Sequence, residues 1–167
     1  MVNEQVVPVQ TLDCSERFVQ LPKYESAGAA GADVRAFLPV APVLIPRGST
    51  AMIPTGLRVA VPEGFELQVR PRSGNALKKG LTVLNTPGTI DSDYRGEICV
   101  ILANLTGEPE VVIEHQDRIA QLVLCPVYQI VWEKTEWGLD DLWVTDRGAS
   151  GFGSTGGMPS NEGESNE

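Results

Sequence analysis

The chain has 167 residues, of which 42% are hydrophobic and 21% are charged, so we expect one soluble globular domain with a hydrophobic core. A formal net charge of −9 disfavours a nucleic-acid partner, and the sequence lacks an apolar run of about 20 residues that could span a membrane. The first residues carry no basic region of a secretory signal, so the expected location is cytoplasmic.

Short β-rich runs, separated by glycine and proline turn signals, predict an all-β antiparallel fold at the spacing of a sandwich or barrel. In chain order these runs are Val6–Leu12, Ala32–Leu38, Val43–Ile45, Leu57–Val61, Phe65–Arg70, Ile98–Leu105 and Ile119–Val127. Ile98–Leu105 is apolar on both alternations, which predicts cover on both faces and hints at a subunit interface. One short helix is expected from Ser73, a good N-cap residue, to a stop at Gly80.

The composition changes after Val144, where glycine and serine become frequent and the last ten residues are polar and acidic. This pattern is typical of a disordered tail, and residues 158–167 keep that interpretation. Arg147 and Phe152 suggest a second possibility, because a guanidinium and a ring on a glycine-rich segment could close over an anionic ligand with a ring. The predicted division is therefore a β domain over residues 1–146, a lid over 147–157 and an acidic tail over 158–167.

The cysteines and the histidine restrict the chemistry. Cys14, Cys99 and Cys125 are far apart and odd in number, which favours buried thiols over a disulfide frame or a zinc site. His115 is the only histidine, so a metal site with several histidine ligands is excluded, and Ser-His-Asp or Cys-His schemes are not expected. Acid-base catalysis would therefore depend on carboxylates or on a metal.

The segment Asn85–Glu97 carries the densest set of polar groups. Its Thr-Pro-Gly-Thr run at 86–89 predicts a type II turn that would bring Asn85 and Asp91 to the border of one pocket. Asn85 can read a planar amide-like base, Asp91 can orient or deprotonate a water, and Tyr94 offers a flat face with a polar tip. The competing interpretation is a polar hairpin whose Asp and Gly residues only form turns.

Three further segments each give only weak evidence for a functional site. Arg72, Ser73 and Gly74 could form an anion site at the start of the helix, or only a solvated basic turn. Asp33 opens a strand and could simply cap a turn. Gln121 is an amide in an apolar strand and needs a partner, and alternation places it on the face opposite Arg118.

Taken together, in this order and spacing, these segments resemble the five motifs of the trimeric dUTPase family, from about Leu21 to Gly156. The motifs are Ala30–Arg35, Pro71–Gly74, Gly88–Glu97, Asp117–Leu122 and Arg147–Gly156. The resemblance implies a jelly-roll-like β-barrel with one short helix, assembled as a homotrimer whose active sites take residues from three subunits. It also implies hydrolysis of dUTP to dUMP and pyrophosphate, which limits uracil in DNA and supplies dUMP for dTMP synthesis.

The resemblance also assigns roles to individual residues. Asp91 would hold the water that attacks the α-phosphorus, with Asp33 supporting the catalytic site. The nucleoside would be held by Asn85 and the backbone of Cys99 at the uracil edge, by Tyr94 under the deoxyribose where it excludes a 2′-hydroxyl, and by Thr89 and Ile90. The phosphates would be held by Arg72, Ser73, Gly74, Gln121 and Arg147. Phe152, with Gly153 and Ser154, would close over the uracil.

Family members carry one Mg²⁺ on the triphosphate, completed by water, so the resemblance implies this cofactor without protein ligands to the metal. Two departures from the family pattern stand out. Asn75 replaces an apolar residue, and the run Ala149–Gly151 replaces paired glycines. The segment Trp132–Trp143 lies outside the motifs and could be an interface arm or a linker.

Two other functions compete with dUTP hydrolysis. dCTP deaminase shares the fold, but the glycine-rich ending with Arg147 and Phe152 favours a dUTPase. A nucleotide-sensing protein without catalysis is a second alternative, and the presence of Asp91 argues against it. An unrelated β-sandwich binding module is a remote third.

Overall fold

A computed structural model of the chain describes residues 4–12, 19–105, 109–135 and 144–151. In these ranges the chain is mostly β with one short helix, as predicted. The elements are β1 (Val9–Thr11), β2 (Ala32–Arg35), β3 (Val43–Pro46), β4 (Thr50–Pro54), β5 (Leu57–Val59), β6 (Phe65–Arg70), α1 (Ser73–Lys79), β7 (Leu81–Val83), β8 (Gly88–Ile90), β9 (Cys99–Asn104), β10 (Glu110–Ile113) and β11 (Arg118–Pro126).

The strands pair antiparallel throughout the described ranges, as the turn-rich sequence predicted. The largest sheet has the order β2-β11-β6-β8, and a second sheet has the order β4-β9-β7. Two-stranded pairs β1-β5 and β10-β3 complete the set. The pairings recorded for these strands do not close into a barrel, so the barrel remains an implication of the resemblance.

One hydrophobic core joins these sheets. The largest fully buried apolar side chains come from five strands and one loop: Ile45, Ile53, Leu57, Leu102, Ile119 and Ile98. Strand alternation turns Ile45, Ile53 and Leu57 towards this core, while their neighbours within the strands are more exposed. Asn104 is buried among them, and its Nδ2 donates to the carbonyl of Ile45 at 3.0 Å, which ties β9 to β3.

Strand β9 is covered on both faces over part of its length. The consecutive residues Leu102 and Ala103 are both buried, which confirms the two-sided burial predicted for this apolar run. Leu105, just after the strand, is 60% exposed, so the cover ends there. The subunit interface suggested by this run stays a prediction.

The helix starts at the predicted place with a different cap. Ser73 is the first helical residue, and the N-cap is Arg72, whose extended backbone makes no side-chain capping bond. The prediction of Ser73 as N-cap was therefore wrong by one residue. Gly80 ends the helix as predicted, with a left-handed φ of 59° that glycine adopts without steric cost.

The chain divides into two compact units, Met1–Tyr128 and Gln129–Glu167. The first contains all the elements named above. In the second, Ile130, Val131 and Trp132 are exposed, and Arg147 Nε donates to the carbonyl of Ser150 at 2.9 Å. Most of the predicted lid, including Phe152, Gly153 and Ser154, and the whole acidic tail lie outside the described residues.

Within the ranges that the structure describes, no helix is both long and apolar enough to cross a membrane.

Candidate active site

One group of predicted site residues surrounds Asp33 on β2. Its carboxylate accepts a hydrogen bond from Arg72 Nε at 2.8 Å, and Arg118 Nη1 lies 3.5 Å from its second oxygen. The Asp33 side chain is only 12% exposed. A carboxylate held between two guanidinium groups orients them and leaves their remaining N–H donors for another anion.

A β-bulge brings Arg118 and Gln121 to this cluster together. Arg118 pairs with Arg35, and Gln121 pairs with Asp33, because the register shifts by one residue between Arg118 and Ala120. Arg35 and Asp33 share a face of β2, so their partners share a face as well. The sequence-based placement of Arg118 and Gln121 on opposite faces was therefore wrong, since an extra residue breaks the alternation.

Gln121 has a backbone partner. Its Nε2 donates to the carbonyl of Pro71 at 2.9 Å, which satisfies the amide in an otherwise apolar strand. A Cβ at Gly31 would lie 2.9 Å from Gln121 Cδ, so the glycine makes room for this side chain. Next in the chain after Arg72, Ser73 and Gly74 are exposed at the start of α1. Their predicted contact with phosphate stays a prediction.

Beside this cluster lies a polar cavity of about 200 Å³. Arg72, Arg118 and Lys79 bring positive charge to its wall, against the single acidic side chain of Asp117. Asn75 also lines the cavity, and its Nδ2 donates to the carbonyl of Arg118 at 3.0 Å. The residue that departs from the family pattern thus ties α1 to β11. The charge balance of this wall suits an anionic group.

A second cavity, of about 360 Å³, lies between β4, β8 and the start of β9. Four residues that the resemblance assigns to the nucleoside pocket line it: Thr89, Ile90, Tyr94 and Cys99. Met52, Glu97 and Ile98 complete the lining, and sequence reasoning assigned none of these three to the site. Glu97 is the last residue of the motif Gly88–Glu97, so the sequence offered a signal for it. Met52 lies on β4, a strand that the sequence did not predict.

The loop between β8 and β9 is anchored to the β4–β5 connection. Glu97 Oε1 accepts from the backbone N–H of Gly56 at 2.7 Å, and the buried hydroxyl of Thr55 donates to the carbonyl of Ile98 at 2.7 Å. Within the loop, Tyr94 Oη donates to the carbonyl of Glu97 at 3.0 Å. These bonds hold the Tyr94 side chain at the wall of the second cavity.

Asn85 and Asp91 stand at opposite ends of β8, and neither lines the second cavity. The predicted type II turn before the strand was wrong. Gly88 belongs to β8 and has no left-handed φ, which the third position of a type II turn requires. Asn85 is exposed, and its Nδ2 lies 3.1 Å from where a Cβ of Gly88 would be.

Asp91 is exposed directly after β8. In the described part of the chain its carboxylate has no hydrogen bond or ion pair, while its carbonyl accepts from the N–H of Tyr94 at 3.2 Å. The carboxylate is therefore open to water, which is what a water-activating base needs.

The two groups of residues occupy opposite edges of one sheet. Asp33 lies on β2 and Asp91 follows β8, with β11 and β6 between those strands. Three strand spacings of about 4.8 Å separate the edges by about 14 Å. One chain therefore does not bring Asp33 and Asp91 together. Arg147 belongs to the second unit, and its predicted contact with substrate stays a prediction.

The two cysteines that the structure describes are less buried than predicted. Cys99 and Cys125 are free, as expected, but each is half-buried. Cys14 lies outside the described residues. Burial raises the pKa of the Cys99 thiol above its usual range, and the negative charge of Glu97 adds to the rise. Cys99 is therefore a neutral wall of the cavity at physiological pH.

The arginine donors beside the first cavity fit the phosphate groups on which a Mg²⁺ would be carried. Across the described ranges, no three His, Cys, Asp or Glu side chains lie close enough to hold an ion together. Arginine donors stand beside the first cavity, and Mg²⁺ commonly reaches proteins on substrate phosphates while retaining several waters.

Comparison with known proteins supports the reading of the motifs. The family model described as dUTPase matches residues 17–156. A protein of Roseobacter denitrificans named deoxyuridine 5′-triphosphate nucleotidohydrolase is 53% identical over 149 residues, which cover 89% of this chain and 95% of that protein. A protein of the same name from Bdellovibrio bacteriovorus is 57% identical over 136 residues, covering 81% and 87% of the two chains.

A solved structure has the same fold at lower sequence identity. The dUTPase of Staphylococcus bacteriophage 80alpha with dUPNHPP aligns with a TM-score of 0.75 and 24% identity, covering 92% of this chain and 99% of that one. The match of the family model over most of the chain, together with the close relatives, shows that the chain belongs to the dUTPase family.

Proposed function

We propose that this protein hydrolyses dUTP to dUMP and pyrophosphate, in the cytoplasm and with Mg²⁺ on the substrate. The observation that carries the proposal is the cavity of about 360 Å³, because four predicted nucleoside-binding residues meet there: Thr89, Ile90, Tyr94 and Cys99. A pocket of this size is within the range that binds small molecules. By this reaction the protein would limit uracil in DNA and supply dUMP for dTMP synthesis.

In the proposed reaction, Asp91 accepts a proton from a water molecule. The water oxygen forms a bond to the α-phosphorus, and the bond from that phosphorus to the β-bridging oxygen breaks in line. Pyrophosphate leaves with the electron pair, and dUMP remains. Bound Mg²⁺ would supply charge neutralisation on the phosphates, so a carboxylate is a sufficient base.

Arg72 is the proposed phosphate-binding group with the best structural support. Asp33 accepts from its Nε, so the guanidinium is held in one orientation while its other N–H groups can face an anion. Ser73, Gly74, Gln121 and, from the second unit, Arg147 are proposed to complete the phosphate site. Asp33 would act on the reaction through Arg72 and not as a base.

The uracil is proposed to be read by Asn85 and the backbone of Cys99, with Phe152, Gly153 and Ser154 closing over it. Cys99 lies opposite Pro54 in the β4–β9 ladder, and proline has no N–H to donate to it. Selectivity would follow because a wrong base leaves buried polar groups unpaired, at about 1–3 kcal/mol each.

The proposed assembly is a homotrimer of jelly-roll-like barrels with shared active sites. Strands β2 and β8, which carry Asp33 and lead into Asp91, lie about 14 Å apart across the sheet, and this spacing supports the proposal, since a second copy could bring a β8 edge to a β2 edge. A dUTPase from phage phi11 of Staphylococcus aureus coordinates a structural Mg(II) ion. Neither nucleic acid nor membrane is proposed as a partner.

The test is product analysis with purified protein, MgCl₂ and a panel of deoxynucleoside triphosphates that includes dUTP and dCTP. Formation of dUMP and pyrophosphate from dUTP alone is the expected result. Ammonia released from dCTP would instead identify a deaminase, and intact dUTP after long incubation would identify a binding protein without catalysis. The native mass from light scattering, measured on the same sample, tests the trimer.

A further inference from the structure

The position of Gly96 relative to Tyr94 suggests a residue that controls sugar selectivity. A Cβ at Gly96 would lie 2.5 Å from Tyr94 Cζ and 3.0 Å from Cε2, and it would also overlap the hydroxyl. Real Cβ atoms do not tolerate such distances. The Tyr94 ring therefore occupies the space that any other residue at position 96 would fill.

The backbone does not require this glycine. Gly96 has no left-handed φ, unlike Gly56 and Gly64, so alanine could adopt the same backbone conformation. The three heavy atoms that would lie nearest to the added methyl group all belong to the Tyr94 side chain. The substitution Gly96→Ala therefore tests the position of the Tyr94 side chain by steric conflict.

The ring is also fixed at its tip. Tyr94 Oη donates to the carbonyl of Glu97 at 3.0 Å, and the side chain of Glu97 accepts from the N–H of Gly56 at 2.7 Å. We call this arrangement the Tyr94 latch: the Tyr94 ring folded over Gly96 and bonded to the Glu97 carbonyl. Because Glu97 is tied to the β4–β5 connection, the latch holds Tyr94 at a set position in the cavity wall.

We propose that Gly96, through the latch, is a specificity-determining position that sets discrimination between deoxyribose and ribose. The inference rests on the proposed function, in which Tyr94 packs under the sugar and excludes a 2′-hydroxyl. The Tyr94 ring can exclude the 2′-hydroxyl of a ribose only if the ring cannot move away from the sugar. Gly96 leaves the space that the Tyr94 ring occupies, and the Glu97 carbonyl accepts from the Tyr94 hydroxyl. These two features hold the ring in place, although Tyr94 is 45% exposed.

The experiment compares kcat/KM for dUTP with kcat/KM for UTP in the parent and in Gly96→Ala. We expect the ratio to fall by about 10-fold, a size typical of a small change in a pocket. The matched control is Gly28→Ala, because Gly28 has open space where its Cβ would be and no left-handed φ. Its ratio should equal that of the parent.

A double substitution separates action through Tyr94 from a general structural effect. In a Tyr94→Ala background, adding Gly96→Ala should change the ratio by less than about 2-fold, because the collision partner is already gone. A full 10-fold effect in that background would overturn the proposal. So would an unchanged ratio in Gly96→Ala within the parent.

If Gly96→Ala does not fold, the variant Tyr94→Phe provides a second test of the same proposal. It retains the ring and removes the hydroxyl that bonds Glu97, so a smaller fall in the ratio is expected. A ratio equal to the parent's in a folded Tyr94→Phe protein overturns the latch. Failure of the proposed function is distinct, because in that case the parent itself would not hydrolyse dUTP.

Discussion

Asp33 and Asp91 have identical side chains in different surroundings. Asp33 is nearly buried and bonded to Arg72, with Arg118 close by, so its charge is committed to orienting cations. Asp91 is exposed and, in the described chain, has no ionic partner. A free carboxylate can bind and deprotonate a water, whereas a paired one is occupied.

Replacement of Asp91 by asparagine should separate binding from chemistry. Asparagine keeps the shape and still orients a water, but it does not accept the proton, so kcat should fall by about 10²–10⁴-fold. The Kd for a non-hydrolysable dUTP analogue, measured by calorimetry, should stay close to the parent value. Equal kcat in variant and parent would remove Asp91 from the mechanism.

Cys99 should react slowly with alkylating reagents. Burial, with the charge of Glu97, raises the pKa of this thiol, so the reactive thiolate is scarcer at pH 8 than in an unfolded chain. Peptide-resolved mass spectrometry after iodoacetamide treatment, with and without urea, measures the ratio of the two rates. As pH rises through this raised pKa the rate in the folded protein should increase. Faster alkylation of the folded form would contradict the prediction.

At the scale of elements, the sequence predicted seven of the eleven strands found in the described residues and missed the other four. β6 was predicted with its observed bounds, because apolar residues alternate with polar ones along it. β4, β7, β8 and β10, each of three to five residues, were missed. These strands form through pairing with neighbours that lie far away in the chain.

Strand β9 is the element whose packing should matter most for stability. Leu102 is fully buried between β4 and β7, so Leu102→Ala should lower the free energy of unfolding by about 2–5 kcal/mol. Leu77→Ala is the control, because Leu77 on α1 is 87% exposed and should change stability by less than about 0.5 kcal/mol. Urea denaturation followed by circular dichroism measures both. Similar losses would show that β9 is not central to the core.

Removal of the chain from Arg147 onward should affect turnover and not assembly. The deleted part contains the proposed γ-phosphate ligand and the aromatic ring of the lid, while the strands of the first unit end at Pro126. Steady-state kinetics should show a kcat at least about 10-fold lower, because closure over substrate completes many active sites. Light scattering should give the same oligomer as the full chain, and a monomer would contradict the prediction.

At the scale of the whole molecule, the two edges of one sheet carry different halves of the candidate site. The β2 edge holds the carboxylate-arginine cluster, and the β8 edge holds Asp91 and part of the wall of the second cavity. The strand order places them about 14 Å apart. A complete site is therefore expected where edges of different copies meet.

Mixed oligomers test this expectation. Chains carrying Asp91→Asn and chains carrying Arg72→Ala are each expected to be inactive, and they are co-produced with two different affinity tags. In a cyclic trimer with sites between neighbouring copies, every mixed assembly contains one intact site of three, so activity should return to about one third of the parent's. Each variant purified alone is the control. Tandem-purified mixtures without recovered activity would place the whole site within one chain.

The sequence by itself determined the local conformations and the chemical inventory. Alternation of apolar residues marked β6 and most of β11, Gly80 marked the end of α1, and the order of five motifs indicated the family. These features are readable because they depend on neighbours a few positions apart. The side chains available for catalysis were also known from the sequence, since the residue types are given directly.

Only the tertiary structure decided which of these residues meet. The bulge in β11 placed Arg118 beside Asp33, the strand order separated Asp33 from Asp91, and the Tyr94 ring filled the space over Gly96. Each outcome depends on pairing register or on close approach between side chains. Those are set by packing over the whole domain, because one extra residue in a strand turns every later side chain to the other face.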